Sequence, residues 1–457
     1  MSVRAYKLAA PFTIFKIQKS MRITIITIGS YGDVQPYIAL GLGLQAAGHN
    51  VCLATHASFK PIICSRGLDF FPIACDPSVI LESEAGRAWL DSGSNPVLFF
   101  RRLSHLVEPV LQQLLIDCWN ACQNAQAIVL AQLGICVAYP VIENLGVPYC
   151  MAYLQPITPT CAFPSPFFPA KPSWLPIDRG YYNRLTYSLS VQALWKLVRP
   201  AGNKVRKEGL NLPPLPSRWF ADQLRRQDKD FLYGYSSSVL PRPTDWIDRN
   251  HITGYWFLDR PADWQPPAEL VDFLAAGPPP VYVGFGSMNN RNPEEVTEIV
   301  LKALACSRQR GVLLMGWGGL SNADLPDEVF KIDAIPHDWL FPRMAAVVHH
   351  GGAGTTAAGL RAGIPSVIIP FFAEQPFWGQ RVAELGVGPK PIPRKRLSEE
   401  RLAAAIHTAV SDEGMRRHAR ALGERIRAED GVARAVEVFH RCLHITGGGS
   451  QENSFLT

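Results

Sequence analysis

The chain has 457 residues, 47% of them hydrophobic and 18% charged, with a mean hydropathy of +0.03, enough length for two or three domains at roughly 150 residues each. Those totals exclude a disordered polyelectrolyte and a polytopic membrane protein, and a net charge of +6 is too mild to point to nucleic acid. No run reaches the ~18 apolar residues of a spanning helix, and the ten cysteines form no CxxC pair or zinc-spaced set; they read as reduced thiols of a cytoplasmic protein.

Residues 1–20 carry Arg4, Lys7, Lys16 and Lys19 without an acid, and Pro11 interrupts them. A flexible tail is expected there, with a basic-aromatic membrane contact as the alternative, and a signal peptide is not. From Met21 short apolar runs alternate with longer amphipathic ones. Strand Ile23 to Ile28, a Gly-containing turn over Gly29 to Gly32, helix Tyr37 to Ala47 and strand Val51 to Ala54 open the pattern. Helix Pro96 to Ala125, strand Val129 to Leu133, helix Cys136 to Leu145 and strand Tyr149 to Leu154 continue it. This is the grammar of a parallel sheet wrapped by helices.

Pro156 to Pro176 is proline-rich and holds Phe163, Phe167, Phe168 and Trp174, so it cannot be regular structure. A basic helix over Arg179 to Glu208 and a strand over Phe231 to Tyr235 follow, closing a first α/β half at 21–240. Residues 241–267 read as an interdomain connector. The grammar restarts at 268–425 with helix Ala268 to Ala276, strand Val281 to Phe285, helix Pro293 to Arg308, strands Val312 to Met315 and Ala346 to His349, helix Thr355 to Ala362, strand Ser366 to Ile369 and helix Phe377 to Leu385. Helices Ser398 to Ser411 and Glu413 to Leu443 finish the pattern, the part over 426–445 bracing the first half, and 446–457 is a polar tail expected to be disordered.

The motif richest in chemistry is His349-His350-Gly351-Gly352-Ala353-Gly354-Thr355-Thr356, set between a buried strand and a helix. Glycines let backbone approach an anion, and the helix start offers unpaired N–H groups and the positive end of its dipole. A diphosphate is then held without a metal, and a neighbouring His can donate to the departing oxygen.

Around this motif stand Pro336-His337-Asp338-Trp339-Leu340-Phe341-Pro342, Gly363-Ile364-Pro365 and Pro370-Phe371-Phe372-Ala373-Glu374-Gln375. The block from Ile335 to Gly388 resembles the donor signature of nucleotide-sugar glycosyltransferases with two Rossmann-like domains (GT-B), and is most similar to sterol 3β-glucosyltransferases. Gly29-Ser30-Tyr31-Gly32-Asp33-Val34-Gln35-Pro36, Ile252 to Asp259 and Val281 to Met288 extend the resemblance from Met21 to about Gly388. It implies an acceptor half facing a donor half across a cleft. His350, with Gly352, Gly354 and Thr355, would contact the donor diphosphate, together with Gly286 and Ser287. Glu374 and Gln375 would bond the sugar hydroxyls. The ribose-binding Glu of plant relatives falls at Ala358 and their base-stacking Trp near Ile332 or Ala334, which leaves Trp339 and backbone around Ile335 to His337 as candidates for the base.

The acceptor hydroxyl needs a base, and Asp33, in the loop of Gly29, Ser30 and Gly32 after the first strand, sits where open α/β sheets place ligands. The family has Arg where this chain has Tyr31. Asp228-Lys229-Asp230 is a literal DxD but lies away from the Gly-rich loop and reads as surface charge; no metal or other cofactor is expected. The resemblance thus implies inverting transfer of glucose from UDP-glucose to a sterol or similar lipophilic alcohol, with the aromatic stretch over the acceptor cleft and in reach of a membrane. A macrolide, glycopeptide or carotenoid acceptor, and a non-catalytic GT-B partner, are the alternatives.

Overall fold

The computed structural model describes residues 20–74, 96–219, 222, 229–286, 293–315 and 325–447. The N-terminal tail, the polar tail beyond Gly447, Ser287 and Asp228 lie outside the described residues.

Strand β1 (Arg22–Ile26) runs into helix α1 (Tyr31–Ala46), followed by β2 (Asn50–Thr55), α2 (Lys60–Ser65), β3 (Asp69–Pro72), α3 (Pro96–Cys122), β4 (Ala127–Leu130), α4 (Gln132–Ile142), β5 (Tyr149–Tyr153), α5 (Arg179–Gly209), β6 (Phe231–Tyr233) and β7 (Asn250–Ile252). All seven strands are parallel, in the order β3-β2-β1-β4-β5-β6-β7. The central strands read Ile-Thr-Ile-Ile and Ala-Ile-Val-Leu and are buried on both faces, as helices on either side of a parallel sheet require. The sheet therefore continues past residue 240: β7 lies inside the stretch read as a connector, its three residues too short to carry a pattern of their own.

The second unit comprises α6 (Ala268–Ala275), β8 (Val281–Gly284), α7 (Pro293–Cys306), β9 (Gly311–Leu314), β10 (Val329–Ile332), α8 (His337–Leu340), β11 (Ala346–His349), α9 (Ala353–Ala362), β12 (Ser366–Ile368), α10 (Gln375–Glu384), α11 (Glu399–Ser411), α12 (Glu413–Arg427) and α13 (Gly431–Gly447). Its parallel sheet has the order β10-β9-β8-β11-β12. Each sheet reverses its winding beside its first strand, between β1 and β4 and between β8 and β11. Such switch points open a crevice at the carboxyl ends of the strands, and the loops after β1, β8 and β11 all lead into one.

Two helix boundaries differ from the sequence reading for physical reasons. Helix α1 starts at Tyr31, not Tyr37, with Pro36 inside it. The missing N–H of Pro36 leaves the Gly32 carbonyl without its usual helical donor, so the proline costs only one bond in the first turns of the helix. The run Glu413 to Leu443 is two helices, parted at Ala428 to Asp430. There the chain crosses back to the first unit: a Cβ on Gly431 would meet the Tyr255 carbonyl at 2.3 Å, and Ser236 Oγ donates to Glu429 at 2.7 Å. Helix α13 then buries Ala435, Val438, Phe439 and Cys442 in the core formed by β1, β2 and α1. It sits so close to α1 that a Cβ on Gly43 would overlap Val432. The eight cysteines whose side chains are described are free.

Candidate active site

A cleft of about 2130 Å³ runs between the two units and receives the loops after β1, β8 and β11. On the first side, Ser30 is the N-cap of α1 and Asp33 its third helical residue. Ser30 donates to Asp33 Oδ2 through its backbone N at 2.8 Å and its Oγ at 3.0 Å, the reach-back bond of a capping box. Gly29, at φ 143°, gives this fold-back its room, because a Cβ there would lie 2.5 Å from Asp33 Oδ2. Burial pushes the Asp33 carboxyl above its usual range in spite of the two Ser30 bonds. Asp33 is thus both helix cap and cleft residue: Oδ2 serves α1, and Oδ1 has no protein partner among the described residues. His56, buried, accepts from Gly29 N at 3.2 Å and so holds this loop from beneath.

On the facing side the same pattern recurs with different side chains. Gly352 is the N-cap of α9, Gly354 its second and Thr355 its third residue, and no acid occupies the first turn. Gly351, at φ 91°, packs where a Cβ would meet Ile368 at 2.7 Å. Its N–H donates to His349 Nδ1 at 3.1 Å, so His349 is spent on the turn. His350 is wedged between two glycines: a Cβ on Gly352 would lie 2.5 Å from its Nε2, and one on Gly286 3.1 Å from its Cε1. Its Nδ1 is buried without a partner among the described residues. Burial, with a smaller push from His337, takes the His350 pKa down to about 4, so the ring is neutral at pH 7 and keeps one N–H to donate. The two helix starts touch: a Cβ on Gly354 would stand 3.6 Å from Gly32 Cα.

Glu374 lines the cleft between these two starts. Burial, with a contribution from the Asp33 charge, raises its pKa to about 7. The preceding Ala373 holds φ 54°, a left-handed conformation that costs a non-glycine residue about 1 kcal/mol or more. Gln375 also lines the cleft, but its Oε1 accepts from Phe371 N at 2.8 Å and Phe372 N at 3.3 Å, so its carbonyl shapes the loop instead of facing a ligand. Trp339 lines the cleft while largely buried: the Arg343 guanidinium lies 4.3 Å over its ring, and Trp264 leans on it at 5.6 Å and 60°. His337, in the segment named from sequence for the base, lines the cleft, and Trp264 is a cleft residue that the sequence pattern did not reveal, since it comes from the connector. Beyond Asp33 the cleft turns apolar, lined by Leu114, Val137, Ile157, Val191, Leu194 and Val198 among others. That lining comes from α3, α4, α5 and the proline-rich stretch.

Asp230 is not the surface charge the DxD pattern suggested. It is buried at the start of β6, away from the cleft, accepting from Arg249 at 3.1 Å and paired with His251 at 3.0 Å.

Two family models match in sequence order: the glycosyltransferase family 28 N-terminal domain over residues 23–164, and the C-terminal domain of erythromycin biosynthesis protein CIII-like proteins over residues 318–443. A sterol 3-beta-glucosyltransferase of Arabidopsis thaliana is 38% identical over 434 residues, covering 93% of this chain. The chain belongs to the UDP-glycosyltransferase family, with the GT-B architecture. A sterol 3-beta-glucosyltransferase of Aspergillus terreus is likewise 38% identical, over 97% of the chain. The chain spans 66% of the Arabidopsis relative's length and 31% of the Aspergillus one's. Among solved structures, the glycotransferase of kitacinnamycin and the calicheamicin glycosyltransferase each superpose with a TM-score of 0.66, at 20% and 18% identity, covering 93% of this chain and 99% of theirs. The GT-B fold is thus common to proteins whose sequences have diverged widely.

Proposed function

We propose that the chain is an inverting glucosyltransferase that carries glucose from UDP-glucose to the hydroxyl of a sterol or a similar lipophilic alcohol. One observation carries the reading: a buried carboxylate on one helix start faces an acid-free, glycine-built helix start on the other, with an apolar chamber behind the carboxylate. The relatives' name, sterol 3-beta-glucosyltransferase, gives the transferred sugar and the acceptor class.

In this mechanism the acceptor O–H gives its proton to Asp33 Oδ1 as its oxygen bonds to the anomeric carbon. The anomeric carbon–oxygen bond to the diphosphate breaks on the opposite face, and the electron pair leaves on the β-phosphate oxygen. A buried carboxylate with a raised pKa is a stronger base than a solvated one, and positioned bases contribute typically 10²–10⁴-fold. The N–H groups opening α9 and the neutral imidazole of His350 receive the developing charge, a task for which a single preorganised donor is worth about 3 kcal/mol. These groups stand in for the divalent cation that other architectures use, so no metal is required. Glu374 accepts hydrogen bonds from the sugar hydroxyls, and Trp264, beside Trp339, borders the base.

The test is release of UDP from UDP-glucose, with and without a sterol, in excess EDTA. Sterol-dependent release that persists in EDTA is the expected result. Binding of UDP-glucose without release by any sterol would move the acceptor to another lipophilic class, and absence of binding would favour a non-catalytic partner protein.

A further inference from the structure

Helix α5 has two faces with opposite duties. Its inner face, Tyr187, Ser190, Val191, Leu194 and Val198, lines the apolar chamber. Its outer face holds Tyr181, Leu185 and Leu189, four residues apart and therefore stacked on one stripe at 3.6 residues per turn. These side chains are 63%, 38% and 46% exposed, unusual for large apolar groups on one stripe. The stripe continues through Lys196, Arg199 and Lys207, none of which has an ion pair among the described residues. From Arg179 to Lys207 the helix contains no acid. Trp174, four residues before the N-cap Asp178, is 77% exposed, and the loop that bears it is tied to the helix by Tyr182 Oη donating to the Pro169 carbonyl at 3.0 Å.

We propose that this outer face of α5 docks on a lipid bilayer containing anionic headgroups. The apolar end fits the acyl boundary of an interface and the cationic end fits the headgroup charge, the composition of helices that lie in a membrane surface. A protein partner would bury the exposed apolar residues equally well, but the acid-free run of cations selects a surface of uniform negative charge. No helix among the described residues is long and apolar enough to cross a membrane, so the contact is peripheral. The surface stands on the two helix faces alone; its use, feeding a bilayer-resident acceptor into the chamber behind α5, rests on the function proposed above.

Flotation with vesicles of phosphatidylcholine, alone or mixed with phosphatidylserine and without sterol, reads the contact independently of catalysis. The whole chain is expected to bind the anionic vesicles roughly tenfold or more tightly than the neutral ones, less so as salt rises. L185E/L189E and K196E should each lose this preference while keeping the wild-type Tm. If turnover holds, both should keep wild-type kcat/KM on acceptor delivered by cyclodextrin yet slow on acceptor in vesicles. Equal vesicle binding by wild type and variants, or no binding by wild type, would overturn the proposal. So would a wild-type dimer that L185E/L189E converts to a monomer.

Discussion

The starts of α1 and α9 are the same device built twice. Each follows a parallel strand at a switch point, each has glycine at its second helical residue, and those two glycines meet across the cleft. Their charge parts at the third residue: Asp33 in one, Thr355 in the other. Because a helix start carries about half a positive charge, the first is neutralised by its own carboxylate and the second is left open for a foreign anion. Under the proposed function, the carboxylate at the third position marks the start that takes a proton, and its absence marks the start that takes a diphosphate.

That contrast can be broken most severely at Asp33. Asp33→Asn keeps both Ser30 bonds feasible while removing the base, and kcat should fall about 10²–10⁴-fold, measured by product formation at saturating donor. Thr355→Asp makes the second start like the first. Like-charge repulsion against a diphosphate should weaken UDP binding on the order of 100-fold in calorimetry, while Tm holds or rises because the helix dipole gains a carboxylate. His350→Ala removes one donor to a charged group and should cost about 10- to 100-fold in UDP affinity; unchanged affinity would separate His350 from the nucleotide.

The smallest effect concerns Glu374. Its folded pKa of about 7 lies above the ordinary carboxylate value of 4.5, so between those values the folded chain holds a proton that the unfolded chain has released. Stability is therefore lost as pH rises through that window. Glu374→Gln should raise Tm by a few degrees at pH 8 and leave it unchanged at pH 4. The same titration should raise the donor KM of the wild type as pH falls below 7, and the variant should flatten that dependence.

Much of this arrangement was legible in the chain. Runs such as Ala346 to His349 need burial on both faces and match the observed strand residue for residue, and the His350 to Thr355 loop announces an anion site through its glycines. Strands decided by their neighbours were not legible: Asp69–Pro72, Asn250–Ile252 and Val329–Ile332 are short and become strands only by adding to a sheet already present. The break at Ala428 to Asp430 has only Asp430-Gly431 to mark it in the sequence; a crossing with Gly254 and Tyr255, distant in sequence, fixes it. The first turn of α1, Tyr31 to Pro36, reads in sequence as part of the loop, because its glycine and proline carry no helical pattern. Local pattern pointed to Asp33 and Glu374 in turn, but only the fold brings them within reach of each other's charge. Trp264 and His56 acquire their places solely from topology.

The division of labour between the two helix starts is tested most directly by calorimetric titration of UDP into wild type and Asp33→Asn, in EDTA. If α9 alone holds the nucleotide and Asp33 acts only on the acceptor proton, the variant binds UDP as tightly as wild type or tighter, one negative charge having left the cleft. A loss of affinity of about tenfold or more, equivalent to 1.4 kcal/mol, would mean that Asp33 supports the donor site, contradicting the division.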